Sequence, residues 1–191
     1  MFQNTKELLL KVTRDLIDVS GIQSVTLRGV GSRASLSRSA VYRHFKDKES
    51  LLAEIVTENF ILLSNLFDKK HMINMKPKDI LKNMLFKFHE FGINNKEHYQ
   101  LMFGTDWSHE KFPLLHQNAY NVFNETNEMV KIVLKNEGIN SKSSLLNTAV
   151  LISFIHGLVE LHIAGHFESI KGLDKTDHLI DHMLSLFINQ K

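Results

Sequence analysis

All five arginines of the 191-residue chain, Arg14, Arg28, Arg33, Arg38 and Arg43, fall within its first 50 residues. A guanidinium is a flat fork of N–H donors that fits a phosphate or the edge of a guanine, so arginines gathered among hydroxyl groups suit the grasp of a polyanion. Between residues 26 and 48 they alternate with Thr26, Ser37, Ser39, Tyr42, His44 and Lys48, each able to donate to phosphate oxygens. The charge is localised. Residues 1–50 hold nine Lys or Arg against five Asp or Glu, whereas residues 51–191 hold fourteen against sixteen. A net charge of +2 thus conceals a basic N-terminal part and a slightly acidic remainder.

The elements that must position these groups are legible in residues 26–52, TLRGVGSRASLSRSAVYRHFKDKESLL. Thr26 is an N-cap for a short helix with Leu27, Val30 and Ala34 on its buried face, although Gly29 and Gly31 weaken it. Ser35, Leu36 and Ser37 make a turn. Ser37 then caps a second helix in which Val41 and Phe45 point inward while Arg38, Ser39, Ala40, Tyr42 and Arg43 stay outside. An exposed face of that composition suits a major groove.

This order of residues resembles the N-terminal helix-turn-helix domain of the TetR family of bacterial transcriptional regulators, over roughly residues 5–52. The resemblance is carried by Thr26-Leu27-Arg28, Val30, Ala34, Leu36-Ser37, Val41-Tyr42, His44-Phe45, and Lys48-Glu49 leading into Leu51-Leu52. Three positions depart from the family pattern: Gly31 stands for the usual Ala, Ser35 for the usual turn Gly, and Ser39 for a Gly common early in the recognition helix. A turn that needs positive φ suits Ser less well than Gly. The resemblance, with donor chemistry, implies that Thr26, Arg28, Tyr42, His44 and Lys48 hold phosphates. Arg38, Ser39, Ala40 and Arg43 would meet base edges, with Ser37 in the same surface. Lys48 and the free N–H groups that start the next helix are expected to form an anion site.

The remainder reads as helical, with two prolines, nine glycines and no convincing alternating run. The expected fold is all-α: a three-helix helix-turn-helix DNA-binding domain over residues 1–50, then a helical ligand-binding and dimerisation bundle over residues 51–191, about nine helices in all. A first helix over residues 4–20 should bury Leu9, Val12, Leu16 and Val19. A long helix over residues 48–69, with Leu52, Val56, Phe60, Leu63 and Phe67 in its stripe, should link the two parts. Further helices are expected over residues 77–94, 96–103, 113–135, 143–166 and 174–189, and residues 69–76 as a loop between domains.

Two later segments, HYQLMFG from His98 and HGLVELHIAG from His156, resemble a C-terminal class of the TetR family named for a Trp, a His and a Gly, although the Trp before the His-Gly pair is absent. That resemblance implies a pocket inside the helical domain and a dimer formed by the last two long helices. Phe86, His89, Met102, Phe103, Trp107, His116, Tyr120, Phe123, His156 and Glu160 are the candidates to line the pocket. About half of them should be ordinary core, because aromatic and Met residues at helical spacing usually are. His156 and Glu160, four apart, can face a pocket or satisfy each other, and a ligand there would be mainly apolar with one or two polar groups. Gly157, Leu161 and Ala164 on one helix and Leu179, Met183 and Phe187 on the next are expected at the dimer interface.

Several chemistries lack their residues. Without cysteine there is no disulfide, thiolate zinc site or cysteine nucleophile, and no Glu-x-x-His, HExxH, GxSxG or P-loop pattern occurs. His162 with His166, and His178 with His182, are i,i+4 pairs lacking a third ligand at fixed spacing, so no metal and no cofactor are expected. The N-terminus has no apolar signal stretch, and residues 145–163 are interrupted by Asn147, His156, Glu160 and His162, which points to a packed helix and a cytoplasmic protein off the membrane. The expectation is a homodimeric repressor that binds a palindromic operator in double-stranded DNA and is released by a small-molecule effector. An activator or a non-sensing DNA binder of the same fold is the alternative, and a helical enzyme with an incidental basic N-terminus ranks below both.

Overall fold

The computed structural model describes residues 4–67, 75–167 and 175–188, apart from the side chain of Ser141. The expected loop over residues 69–76 lies largely outside the described residues, as do residues 68–69 at the end of the expected long helix and both end residues of the expected helix over 174–189. Among the described residues there are nine α-helices and no strand: α1 (Thr5–Ser20), α2 (Leu27–Arg33), α3 (Arg38–Tyr42), α4 (Lys48–Leu66), α5 (Pro77–Asn94), α6 (Lys96–Phe103), α7 (Pro113–Asn136), α8 (Ser144–Ile163) and α9 (Thr176–Ile188). The packing divides them into two compact units, residues 1–61 with 95–119 and residues 62–94 with 120–191. The α6 segment falls in the first unit because it packs with α1 and α4.

In the first unit, Asn4 caps α1 by accepting from Lys6 N–H, and Gly21 ends it at φ 73°, donating its N–H to the Ile17 carbonyl. The buried face is Leu9, Leu10, Thr13, Leu16 and Ile17. Val19, expected inside, is 82% exposed. Thr13 takes the position that apolar spacing alone assigns elsewhere, and it enters the core because its hydroxyl donates to the Leu9 carbonyl at 2.8 Å. Helix α4 buries Leu52, Val56 and Phe60 of the expected stripe in this unit, and the stripe's Leu63, with Phe67 just past the helix end, is buried in the second.

The second unit is built on α5, which packs against α8 and α9 through Leu81, Met84, Leu85, Phe88 and Phe91. Leu151, Ile155, Leu158 and Val159 of α8 and Ile180 and Leu184 of α9 complete this core. Thr148 of α8 donates to the Asn127 side chain of α7 at 3.2 Å. By length and composition α8 could cross a membrane. One of its faces is nonetheless packed within the unit, while Leu145, Leu146, Val150 and Leu161 are exposed.

Candidate nucleic-acid interface

The interface is built on two caps and one turn. Thr26 Oγ1 accepts from Gly29 N–H at 3.0 Å to start α2, and Ser37 Oγ accepts from Ala40 N–H at 3.2 Å to start α3. Between them the Leu36 N–H reaches the Gly31 carbonyl and the Ser35 N–H reaches the Ser32 carbonyl, the paired bonds of a Schellman turn. That motif needs a left-handed residue, and Ser35 supplies it at φ 55°. Gly31 has an equally local cause: a Cβ there would lie 2.7 Å from Val41 Cγ2, so the missing side chain lets α2 and α3 approach.

The turn leaves Thr26, Arg28, Ser37, Arg38, Ser39, Tyr42, Arg43 and His44 exposed. Ala40 is not among them. It is 7% exposed, beside Val41 on the inner side of α3, so the expected contact with a thymine methyl is unsupported in this arrangement. In so short a helix the inward stripe takes in two adjacent residues, Ala40 and Val41, whereas periodicity assigns Val41 and Phe45 to it and leaves Ala40 outside. Arg28, Ser32, Arg38 and Tyr42 rim a groove of about 630 Å³ between α2 and α3, floored by Leu27, Leu36 and Val41.

The start of α4 also differs from expectation. Asp47 accepts from Ser50 N–H at 2.7 Å while Ser50 Oγ accepts from Asp47 N–H, a reciprocal cap. The bond from the Ser50 backbone holds the Asp47 carboxyl below its usual range. The helix start thus already carries an internal anion, and Lys48 Nζ donates to the Ile22 carbonyl at 3.1 Å. The D-x-x-S spacing of Asp47 and Ser50 was the available cue.

His98 joins three helices of the same unit. Asn59 Nδ2 of α4 donates to His98 Nδ1 at 3.0 Å, so His98 Nε2 carries the proton and donates to Asp18 Oδ1 of α1 at 3.1 Å. Burial lowers the His98 pKa against the opposing pull of Asp18, and the neutral ring has both nitrogens satisfied. Sequence reasoning attached His98 to the C-terminal part. Its partners are 39 and 80 residues away, beyond any local spacing.

The ten pocket candidates fall in different places. Met102, Phe103, Trp107 and His116 belong to the first unit, where Trp107 donates to the Leu101 carbonyl and His116 to the Trp107 carbonyl. Phe86, His89, Tyr120, Phe123, His156 and Glu160 belong to the second. There Tyr120 and Glu160 are exposed, Phe86, Phe123 and His156 are half-buried, and His156 meets Phe88 edge-on at 4.9 Å. His89 is 2% exposed beside His162, its Nε2 has no hydrogen-bond partner among the described residues, and burial pushes its pKa down to about 4. A small apolar cavity of about 10 Å³ in this unit is lined by Leu81, Val130, Leu151, Leu184 and Phe187, with none of the ten candidates on its wall.

Of the expected dimer residues, Gly157 and Leu161 on α8 and Ala164 at its C-cap are exposed, and among the described residues nothing beyond the adjoining α8 backbone lies within 4 Å of a Cβ built on Gly157. Leu179, Met183 and Phe187 are half-buried on α9. Among the described residues, no group of three or more His, Cys, Asp or Glu is placed to hold a metal ion.

Comparison with known proteins agrees with this geometry. Residues 9–55 match the bacterial regulatory proteins of the tetR family, and residues 81–187 match the tetracyclin repressor-like C-terminal domain. The C-terminal match lends no support to the narrower Trp-His-Gly class. The chain is 25% identical over 187 residues to the uncharacterized HTH-type transcriptional regulator YerO of Bacillus subtilis, covering 92% of this chain but only 64% of that protein. It is 24% identical to the nucleoid occlusion factor SlmA of Shewanella baltica, covering 92% of this chain and 89% of that one. Among solved structures, a protein of unknown function from Rhodococcus sp. RHA1 superposes with a TM-score of 0.82 at 17% identity, over 97% of this chain and 94% of the other. A TetR variant from Acinetobacter baumannii AYE in complex with minocycline gives 0.65 at 18% identity, over 97% of each chain. With both domains matched in order and more than half of the chain within the second, this all-α protein belongs to the tetR family of bacterial regulators, which are DNA-binding proteins and not enzymes.

Proposed function

We propose that the protein is a cytoplasmic, homodimeric repressor that reads a palindromic operator and is released by a small molecule. The observation that carries the DNA-reading part is the capped α3, which leaves Arg38, Ser39, Tyr42 and Arg43 exposed on one short helix. In this reading Arg38, Ser39 and Arg43 meet base edges, while Thr26, Arg28, Ser37, Tyr42, His44 and Lys48 fix the backbone. Functionally, residues 1–50 form the reader and residues 51–191 the sensing and dimerising part.

Pairing is required because one such helix reads only a few base pairs, whereas two held about 34–36 Å apart read successive grooves. The exposed α8 face of Leu146, Val150, Gly157, Leu161 and Ala164, with α9 beside it, supports dimerisation through these helices. Effector binding would favour a conformation with α4 tilted and the two recognition helices out of register. The test is a gel shift on operator half-sites at varied spacing. The reading requires tight binding only near one helical turn, and spacing-independent binding with a steep salt slope would refute it.

The likeness to SlmA, named as a nucleoid occlusion factor, favours a second reading, a regulator that binds DNA without a small-molecule effector. Screening a metabolite library for a compound that both raises the melting temperature and lowers operator affinity separates the two, since linkage demands both effects from one effector.

A further inference from the structure

Tyr42 follows Arg38 by one helical turn, and the Arg38 guanidinium carbon lies 5.2 Å from the centre of the Tyr42 ring. Tyr42 is 47% exposed and Arg38 is exposed as well, so burial does not force the pairing. Both side chains line the α2–α3 groove, on the face left open to a duplex.

The two halves of Tyr42 can do different work. Its hydroxyl can bond a phosphate, which positions a protein on DNA and carries no sequence information. Its ring acts on Arg38. A free arginine surrenders rotamer freedom when it docks, and two parallel N–H bonds to a guanine edge demand one orientation of the guanidinium plane. A cation held over a ring has surrendered part of that freedom beforehand.

We propose that Tyr42 is a specificity-determining positioning residue, whose ring presets the Arg38 guanidinium for a guanine edge independently of any phosphate contact by its hydroxyl. The proposal rests on the reading of α3 as the base-reading helix. It separates affinity, which follows the hydroxyl, from base preference, which follows the ring.

The test is selection of binding sites from a random duplex library by the full-length protein and its variants. Arg38→Ala identifies the base position that Arg38 reads, by flattening the preference there. Tyr42→Phe should weaken binding to all sequences alike while keeping that preference. Tyr42→Leu, which removes the ring, should reduce the preference at the same position by about fivefold or more. Full retention of the preference in Tyr42→Leu, or its equal loss in Tyr42→Phe, overturns the proposal. If Tyr42→Leu does not fold, NMR of the wild-type protein and of Tyr42→Phe decides the point: an upfield ring shift of the Arg38 side-chain protons present in both supports the stack, and its absence overturns it. A wild-type protein that enriches no sequence refutes the base-reading role of α3 itself, an outcome distinct from the others.

Discussion

Ser35 holds a left-handed conformation, φ 55°, that costs a side-chain-bearing residue roughly 1–2 kcal/mol relative to the right-handed one. Ser35→Gly should therefore stabilise the protein by about 1 kcal/mol, read as a higher denaturation midpoint. Four residues earlier the sign reverses: Gly31→Ala, which restores the usual residue of the family, should destabilise by about 1–3 kcal/mol, because its Cβ meets a stiff Val41 methyl at 2.7 Å. Val41→Ala in the same chain should recover part of that loss, and additive effects in the double-mutant cycle would contradict the contact. His89 supplies a pH signature. Its folded pKa, about 4, lies below the unfolded value of 6.5, so as pH falls through 6.5 the unfolded chain takes up the proton first. Stability is fully present above about pH 6.5 and falls by about 3 kcal/mol by pH 4. His98 and His156, both shifted down by burial, add in the same direction. His89→Leu should flatten this acid limb in chemical denaturation and remove an unpartnered buried nitrogen.

The elements were legible where one helix face is apolar and local. The α4 stripe, both caps of the reader and the Ser35 turn follow from spacing and turn chemistry within a few residues. Legibility failed where a polar residue enters the core by bonding its own helix, as Thr13 does, and where a helix is too short for periodicity to resolve, as with Ala40 in α3. It failed most at α6. HYQLMFG suggested a C-terminal pocket, whereas His98 fastens that helix to α1 and α4 through partners remote in sequence. His98→Ala should cost about 2–4 kcal/mol, since it leaves a cavity and the Asn59 amide unpaired inside the core. Hydrogen exchange should rise in α1, α4 and α6 together; a rise confined to α6 would mean that the three are not fastened as one.

Over the whole molecule the decisive question is association. The open side of Gly157 and the exposed apolar residues around it make Gly157→Arg a direct test. The variant should sediment as a monomer and lose about a hundredfold or more in affinity for a palindrome, because the second half-site no longer benefits from a tethered reader. Its sequence-independent, salt-sensitive binding should persist. The long helix α4 adds a matter of leverage. Its 19 residues, at 1.5 Å each, form a rod of about 28 Å, so a swing of about 5° at one end carries the other by about 2.5 Å. Two subunits swinging in opposite senses would change the span between recognition helices by about 5 Å, more than the whole length of the hydrogen bonds at stake. In the proposed release mechanism, an effector would need to supply only a nudge of a few degrees at one end of α4 to silence the reader at the other.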